Sequence, residues 1–177
     1  PHLAISDRIM GPTLLEQRDT ESQQIGNVRT STNSSGDDSH KQIVKTTTLD
    51  TFAFSHGILT LDVLKVDVEG GNGQVLRGAT RLLREANVAV VMFEHGSFAG
   101  NHDLPLNSSL RLLEMHNFSC YFAGRVSLVK ITGCWDDRME WSHPESWLVS
   151  LGQVFTANIV CSSHPRIVKA FDDHCVP

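Results

Sequence analysis

The chemistry-bearing residues of this sequence gather in two short stretches, Asp67-Val68-Glu69-Gly70-Gly71 and Glu94-His95. Each closes an apolar run, Leu61 to Val68 and Val88 to Phe93, with the length and β-branched content of a strand covered on both faces. In an open α/β sheet, ligands bind beyond the carboxyl ends of the parallel strands, which is where Asp67, Glu69, Glu94 and His95 then lie. Carboxylates and an imidazole placed there suit proton transfer to or from a bound ligand. Taken singly, any one of these acids reads more readily as a helix cap or a surface ion pair; their clustering at two strand ends favours a site. Gly70 and Gly71 allow a sharp turn and a close backbone approach to a ligand, and would serve turning alone just as well.

The elements that must position these residues follow from periodicity. Apolar residues at Val75, Leu76, Ala79, Leu82 and Leu83 recur at helical spacing and predict one helix after Gly71. Strand, helix, strand is a crossover unit, so Leu61 to Val68 is expected as a central parallel strand with Val88 to Phe93 beside it, and the fold class is α/β. Upstream, His2 to Ser6 reads as the end of a strand, Asp19 to Lys41 as a flexible polar loop, Gln42 to Thr47 as a short strand, and Thr48-Leu49-Asp50 as the start of a helical turn that His56-Gly57 ends. Downstream, Ser108 or Ser109 is expected to cap a helix carrying Leu110, Leu113 and Phe118, with Gly124 closing the segment. Val126 to Ile131 and Val154 to Val160 are expected to form an antiparallel pair at one edge. Arg166 to Phe171 reads as a short helix within a C-terminal tail, 161–177. The whole chain, 1–177, reads as a single partial domain, and its abrupt start at Pro1-His2-Leu3 as that of a piece of a longer protein.

Composition narrows the partners. With 177 residues, 40% hydrophobic and 20% charged, the chain has enough apolar content for one core. A net charge of −5 supplies no basic surface for a nucleic-acid backbone, so nucleic acid is not expected as a partner. No apolar run reaches the roughly 20 residues of a membrane-spanning helix. Cys120, Cys134, Cys161 and Cys175 lack close pairing and are expected as free, mostly buried thiols. That favours a cytoplasmic address, while three glycosylation acceptor triplets, Asn33-Ser34-Ser35, Asn107-Ser108-Ser109 and Asn117-Phe118-Ser119, keep a secretory-pathway lumen open.

Thr48-Leu49-Asp50, then Leu64-Lys65-Val66-Asp67-Val68-Glu69-Gly70, then Val75-Leu76-Arg77-Gly78-Ala79 together resemble the FkbM family of methyltransferases. Ala4-Ile5-Ser6-Asp7 with Gly11 resembles the preceding strand end of that family, and Met92-Phe93-Glu94-His95 its following strand, so the likeness runs from Ala4 to about Gly124 and more loosely through Asn158-Ile159-Val160. The resemblance implies a Rossmann-like methyltransferase fold, N-terminally truncated here, with a mostly parallel sheet and an antiparallel edge. It implies S-adenosylmethionine as cofactor and methylation of a hydroxyl oxygen on a glycan or small metabolite. By the same resemblance Ser6 and Asp7 lie near the adenine end of the cofactor, although Asp7 to Gly11 is also a plain Asp-to-Gly reversal. Two departures stand out: Asn72 occupies a position where the family often has a second acid, and the glycine-rich first loop and the acidic residue that such enzymes use for the methionine and ribose are expected upstream of Pro1.

Methyl transfer from a sulfonium is a direct displacement that depends on alignment, and an alcohol acceptor must lose a proton to a base. Asp67, Glu69 and His95 are the catalytic candidates, with His95 or Asp67 favoured as base; Ser6, Asp7 and Asp67 are the cofactor candidates, and Glu94 and Gly70 face the acceptor. The scattered histidines show no ligand spacing and no metal is expected, although His95, His102 and Asp103 beside Asp67 offer hard-cation donors. Trp135, Trp141 and Trp147 are expected to pack, with an acceptor pocket the less favoured role. Two rivals stay open. One is a non-catalytic domain that keeps the fold for binding or assembly; the other, a nicotinamide-dependent oxidoreductase, lacks its phosphate fingerprint.

Overall fold

The computed structural model describes residues 3–5, 13–16, 41–68, 71–85, 88–96, 105–139 and 156–175. Its elements run β1 (Leu3–Ile5), β2 (Thr13–Glu16), β3 (Lys41–Thr47), α1 (Leu49–Ser55), β4 (Leu61–Val66), α2 (Asn72–Arg77), α3 (Thr80–Arg84), β5 (Val88–Gly96), α4 (Leu106–Glu114), β6 (Ser119–Ala123), β7 (Leu128–Lys130), β8 (Thr156–Ser162) and α5 (Pro165–Asp172). A small sheet has the order β1-β3-β2, with β1 parallel and β2 antiparallel to β3. A five-stranded sheet has the order β4-β5-β8-β6-β7.

That larger sheet is mixed, not mostly parallel. β4 and β5 pair in parallel with Val66 opposite Phe93, whereas β5 with β8, β8 with β6, and β6 with β7 are all antiparallel. The reason lies in the connections. A parallel pair needs a crossover, which α2 and α3 supply between β4 and β5, whereas the short Gly124–Ser127 turn can join β6 and β7 only as an antiparallel hairpin. β8 then enters between β5 and β6, so the expected pairing of Val126 to Ile131 with Val154 to Val160 does not form. β6 itself, Ser119–Ala123, was hidden in sequence by the segment expected to continue the preceding helix. β4 is also not central: among the described residues it ends the sheet, and Val63 is 54% exposed.

The stripe Val75, Leu76, Ala79, Leu82 and Leu83 is buried as its spacing predicts, but on two short helices. The chain breaks at Gly78 and Ala79, and Asp50 explains how the second helix begins. Its two carboxylate oxygens accept the backbone N–H groups of Arg81 at 2.8 Å and Leu82 at 3.0 Å, while its own N–H donates to the Gly78 carbonyl at 2.8 Å. Asp50 thus caps α3 from α1, satisfying donors that a helix start leaves open and placing negative charge at its N-terminus. Thr48 caps α1 itself, accepting from Thr51 N at 3.0 Å, and Gly57 at φ 66° follows its end.

α4 starts at Leu106 behind Pro105, earlier than Ser108 or Ser109 would have it, because Leu106, Leu110 and Leu113 form the i, i+4, i+7 stripe that packs into the core. Phe118 joins that core from beyond the helix. α1 to α4 cover one face of the large sheet through these side chains, each fully buried Leu contributing about 1.5–3 kcal/mol. α5, inside what the sequence suggested was a tail, covers part of the other face. There Phe171 meets the Tyr121 ring edge-on at 5.4 Å, and the Tyr121 hydroxyl donates to Asp172 at 2.8 Å. Burial, and then that carboxylate, push the phenol up to about 12. Trp135 packs against the main core; Trp141 and Trp147 lie outside the described residues, as does the stretch 19–40.

Cys120 and Cys161 are not free thiols. They stand opposite one another on β6 and β8, both fully buried, and form a disulfide that closes a loop of 41 residues. Loop-closure entropy for that length stabilises by about 4 kcal/mol. Cys134 and Cys175 are free.

The Asp50 cap makes a defined claim about stability. Asp50→Ala is expected to lower the unfolding free energy by about 1–2 kcal/mol, and Asp50→Asn, which keeps one acceptor oxygen, by roughly half as much. Urea titration followed by circular dichroism reads both; an unchanged midpoint in Asp50→Ala contradicts the cap.

Candidate functional site

The carboxyl ends of β4 and β5 lie side by side, because the parallel register brings Val66 level with Phe93. The next residues are Asp67 on one chain segment and Glu94 on the other, followed on β5 by His95. Glu69 and Gly70, and on the upstream segment Ser6 and Asp7, lie outside the described residues, as do His102 and Asp103.

Strand alternation then sorts the side chains. Leu64 pairs with Val91 and Val66 with Phe93 on the face that α1 to α4 cover, so Lys65 and Asp67 project from the opposite face, level with Met92 and Glu94. The Lys65 ammonium accordingly reaches Asp67 at 3.0 Å, as side chains two residues apart on one face can. The Asp67 side chain is 48% exposed, so this ion pair contributes little stability and leaves the carboxylate open to a ligand. His95 shares the parity of Phe93 and sits on the helix-covered face, with its Nε2 shielded from solvent. Burial pushes its imidazole down to about 4, so the ring is neutral at neutral pH. The strand ends therefore converge, while the pleat divides their groups between an exposed carboxylate face and an enclosed imidazole face.

Asn72 is the residue whose importance sequence understated. It opens α2, is 2% exposed, and its amide nitrogen donates to the Glu94 backbone carbonyl at 2.9 Å. That bond ties the start of the crossover helix to the end of β5 and so fixes the spacing of the two strand ends. An ionised carboxylate at this position would set acceptor against acceptor in a dry place. Gly71, just before it, has room for no more than a tight fit, since a Cβ there would come within 3.3 Å of Val68. In sequence Asn72 stands out as a departure from the acid that the family often has there and as a polar residue at the first turn of an apolar helix, and neither signal points to a bond with the end of β5.

Enclosure of His95 has a pH consequence. Its native value lies below the ordinary 6.5, so between the two the unfolded chain binds a proton that the native chain does not. Stability is therefore complete above about pH 6.5 and is lost as pH falls toward 4, at up to about 1.4 kcal/mol per pH unit. Chemical denaturation of the wild type and His95→Gln across pH 4 to 7 is expected to show a flatter profile in the variant; parallel profiles would place the acid sensitivity elsewhere.

The family of the Methyltransferase FkbM domain matches residues 8–120, more than half of the 177-residue chain. The match takes in β4, the crossover helices and β5, the elements that build the paired strand ends. No curated protein and no solved structure gives a match. On the strength of that match over residues 8–120, the chain belongs to the FkbM-domain methyltransferase family.

Proposed function

We propose that this chain is an S-adenosylmethionine-dependent O-methyltransferase acting on a hydroxyl of a glycan or small metabolite. The observation that carries the reading is the coincidence of the family match with an exposed carboxylate, Asp67, at the open end of the parallel β4–β5 pair. The Rossmann-like assignment rests on that parallel pair with its helical crossover, flanked by the antiparallel β8.

The residues fit such a cofactor. An exposed carboxylate at a strand end accepts hydrogen bonds from the amine and hydroxyl groups that S-adenosylmethionine carries, and Lys65 holds its rotamer. Bound there, the cofactor supplies an electrophilic methyl group on a sulfonium. The chain must hold an acceptor hydroxyl in line with it and take away its proton. Of the two favoured bases, Asp67 is open to an acceptor, whereas His95 is enclosed and its imidazole is weakly basic. We therefore assign proton removal to Asp67 and positioning to His95, with Glu69 as a second carboxylate. Glu94 and Gly70 flank the acceptor, and Ser6 and Asp7 contribute to the cofactor side. Residues 1–177 act in this reading as a single domain.

A non-catalytic binding domain is the competing reading. It draws support from Asn72, whose role is structural, and from the engagement of Asp67 by Lys65.

The test is methyl transfer by the full-length protein to a panel of hydroxylated acceptors, with Asp67→Asn, Glu69→Gln and His95→Gln compared singly. Loss of the base is expected to lower kcat by about 10²–10⁴-fold in Asp67→Asn, with smaller losses in the other two. Unchanged rates in all three overturn the site, and no transfer by the wild type to any acceptor favours the non-catalytic reading.

A further inference from the structure

We propose that Asn117 is an N-glycan acceptor and that the chain matures in an oxidising lumen. Of the three acceptor triplets, Asn33-Ser34-Ser35 lies outside the described residues. Asn107 is half-buried in the first turn of α4, where its Oδ1 accepts from the Arg111 guanidinium at 3.1 Å, and Ser109 is 3% exposed. Asn117 differs from it in every respect. It is exposed, it sits in the turn between α4 and β6 at φ 63°, and its side chain makes no hydrogen bond among the described residues. Its backbone N–H donates to Glu114 at 2.9 Å and that of Phe118 to Leu113 at 3.0 Å, so the turn is held by its backbone and by the buried Phe118 ring, not by the Asn117 amide. A bulky, hydrated substituent on that amide displaces no packing.

The left-handed backbone by itself explains an Asn at 117, since Asn adopts it more readily than most residues. It does not explain the hydroxyl at Ser119, and it has no bearing on the second observation. One residue beyond the triplet, Cys120 is joined to Cys161 by a disulfide in the core. Disulfides persist in oxidising compartments, the same ones in which Asn-X-Ser/Thr triplets are glycosylated. The two features are independent in chemistry and agree on the compartment.

The modification joins the Asn117 Nδ2 to the anomeric carbon of a polyprenyl-diphosphate-linked oligosaccharide. The N–C bond forms as the bond from that carbon to the diphosphate oxygen breaks, the polyprenyl diphosphate departs, and the amide loses one proton to the transferase. Ser119, half-buried as the first residue of β6, is accessible before that strand closes, so addition precedes folding.

The full-length protein is expressed in eukaryotic cells and its peptides are mapped after peptide N-glycosidase treatment in heavy-oxygen water, with a parallel non-reducing map of the cysteines. The expected result is conversion of residue 117 to labelled Asp, loss of the glycan in Asn117→Gln and Ser119→Ala, retention in Ser119→Thr, and a Cys120–Cys161 linked peptide. Asn117→Gly, which suits the left-handed turn, is expected to lose the glycan and keep the wild-type melting temperature, separating modification from folding. An unmodified Asn117, a glycan confined to the other triplets, or Cys120 and Cys161 recovered as free thiols overturns the proposal.

Discussion

The parallel pairing of β4 with β5 is the constraint on which the rest of the described structure depends. Two parallel neighbours cannot be joined by a tight turn, so the chain must leave β4, cross the sheet and return. The described residues between Gly71 and Glu85 serve that return: Val75, Leu76, Ala79, Leu82 and Leu83 bury the crossover against the sheet, and two polar residues fix where it starts and bends. Asn72 ties its start to the end of β5 through the Glu94 carbonyl, and Asp50 caps its second half from α1. Both bonds join segments far apart in sequence, and they hold Asp67 and Glu94 at neighbouring strand ends.

On the other side of β5 the sheet is closed by different means. β8 enters antiparallel between β5 and β6, and the Cys120–Cys161 bond locks it to β6 from within the core. α5 then covers part of the outer face through Phe171 and the Tyr121–Asp172–Lys130 contacts. The carboxyl ends of β4 and β5 are thus flanked by a crossover braced by hydrogen bonds and, beyond β5, by the covalently tied β8–β6 pair. Rigid mounting would suit the proposed methyl transfer, in which alignment supplies much of the rate.

Local pattern and long-range pairing were legible to different degrees. The strands around Val63 and Val91, the apolar stripe on the crossover and the Thr48 cap follow from periodicity and side-chain chemistry confined to a few residues, and they could be read directly. The break at Gly78, the order of β6 to β8 and the partner of Cys120 depend on contacts across 30 or more residues, which no local pattern encodes; the Asp50 cap, for one, acts on a residue 32 positions away. The site shows the same division. Asp67 and His95 were identifiable by their positions after apolar runs, but their assignment to opposite faces of the sheet comes from the β4–β5 register, and the structural role of Asn72 from a bond that exists only once the crossover has folded.

Whether these strand ends hold S-adenosylmethionine, as proposed, is read by calorimetric titration of the full-length protein with S-adenosylhomocysteine, alongside Asp67→Ala. Saturable one-site binding to the wild type is expected, with binding weaker by at least about tenfold, or roughly 1.4 kcal/mol, in the variant. A folded wild-type protein that takes up no S-adenosylhomocysteine, or equal affinity in the two proteins, would contradict it.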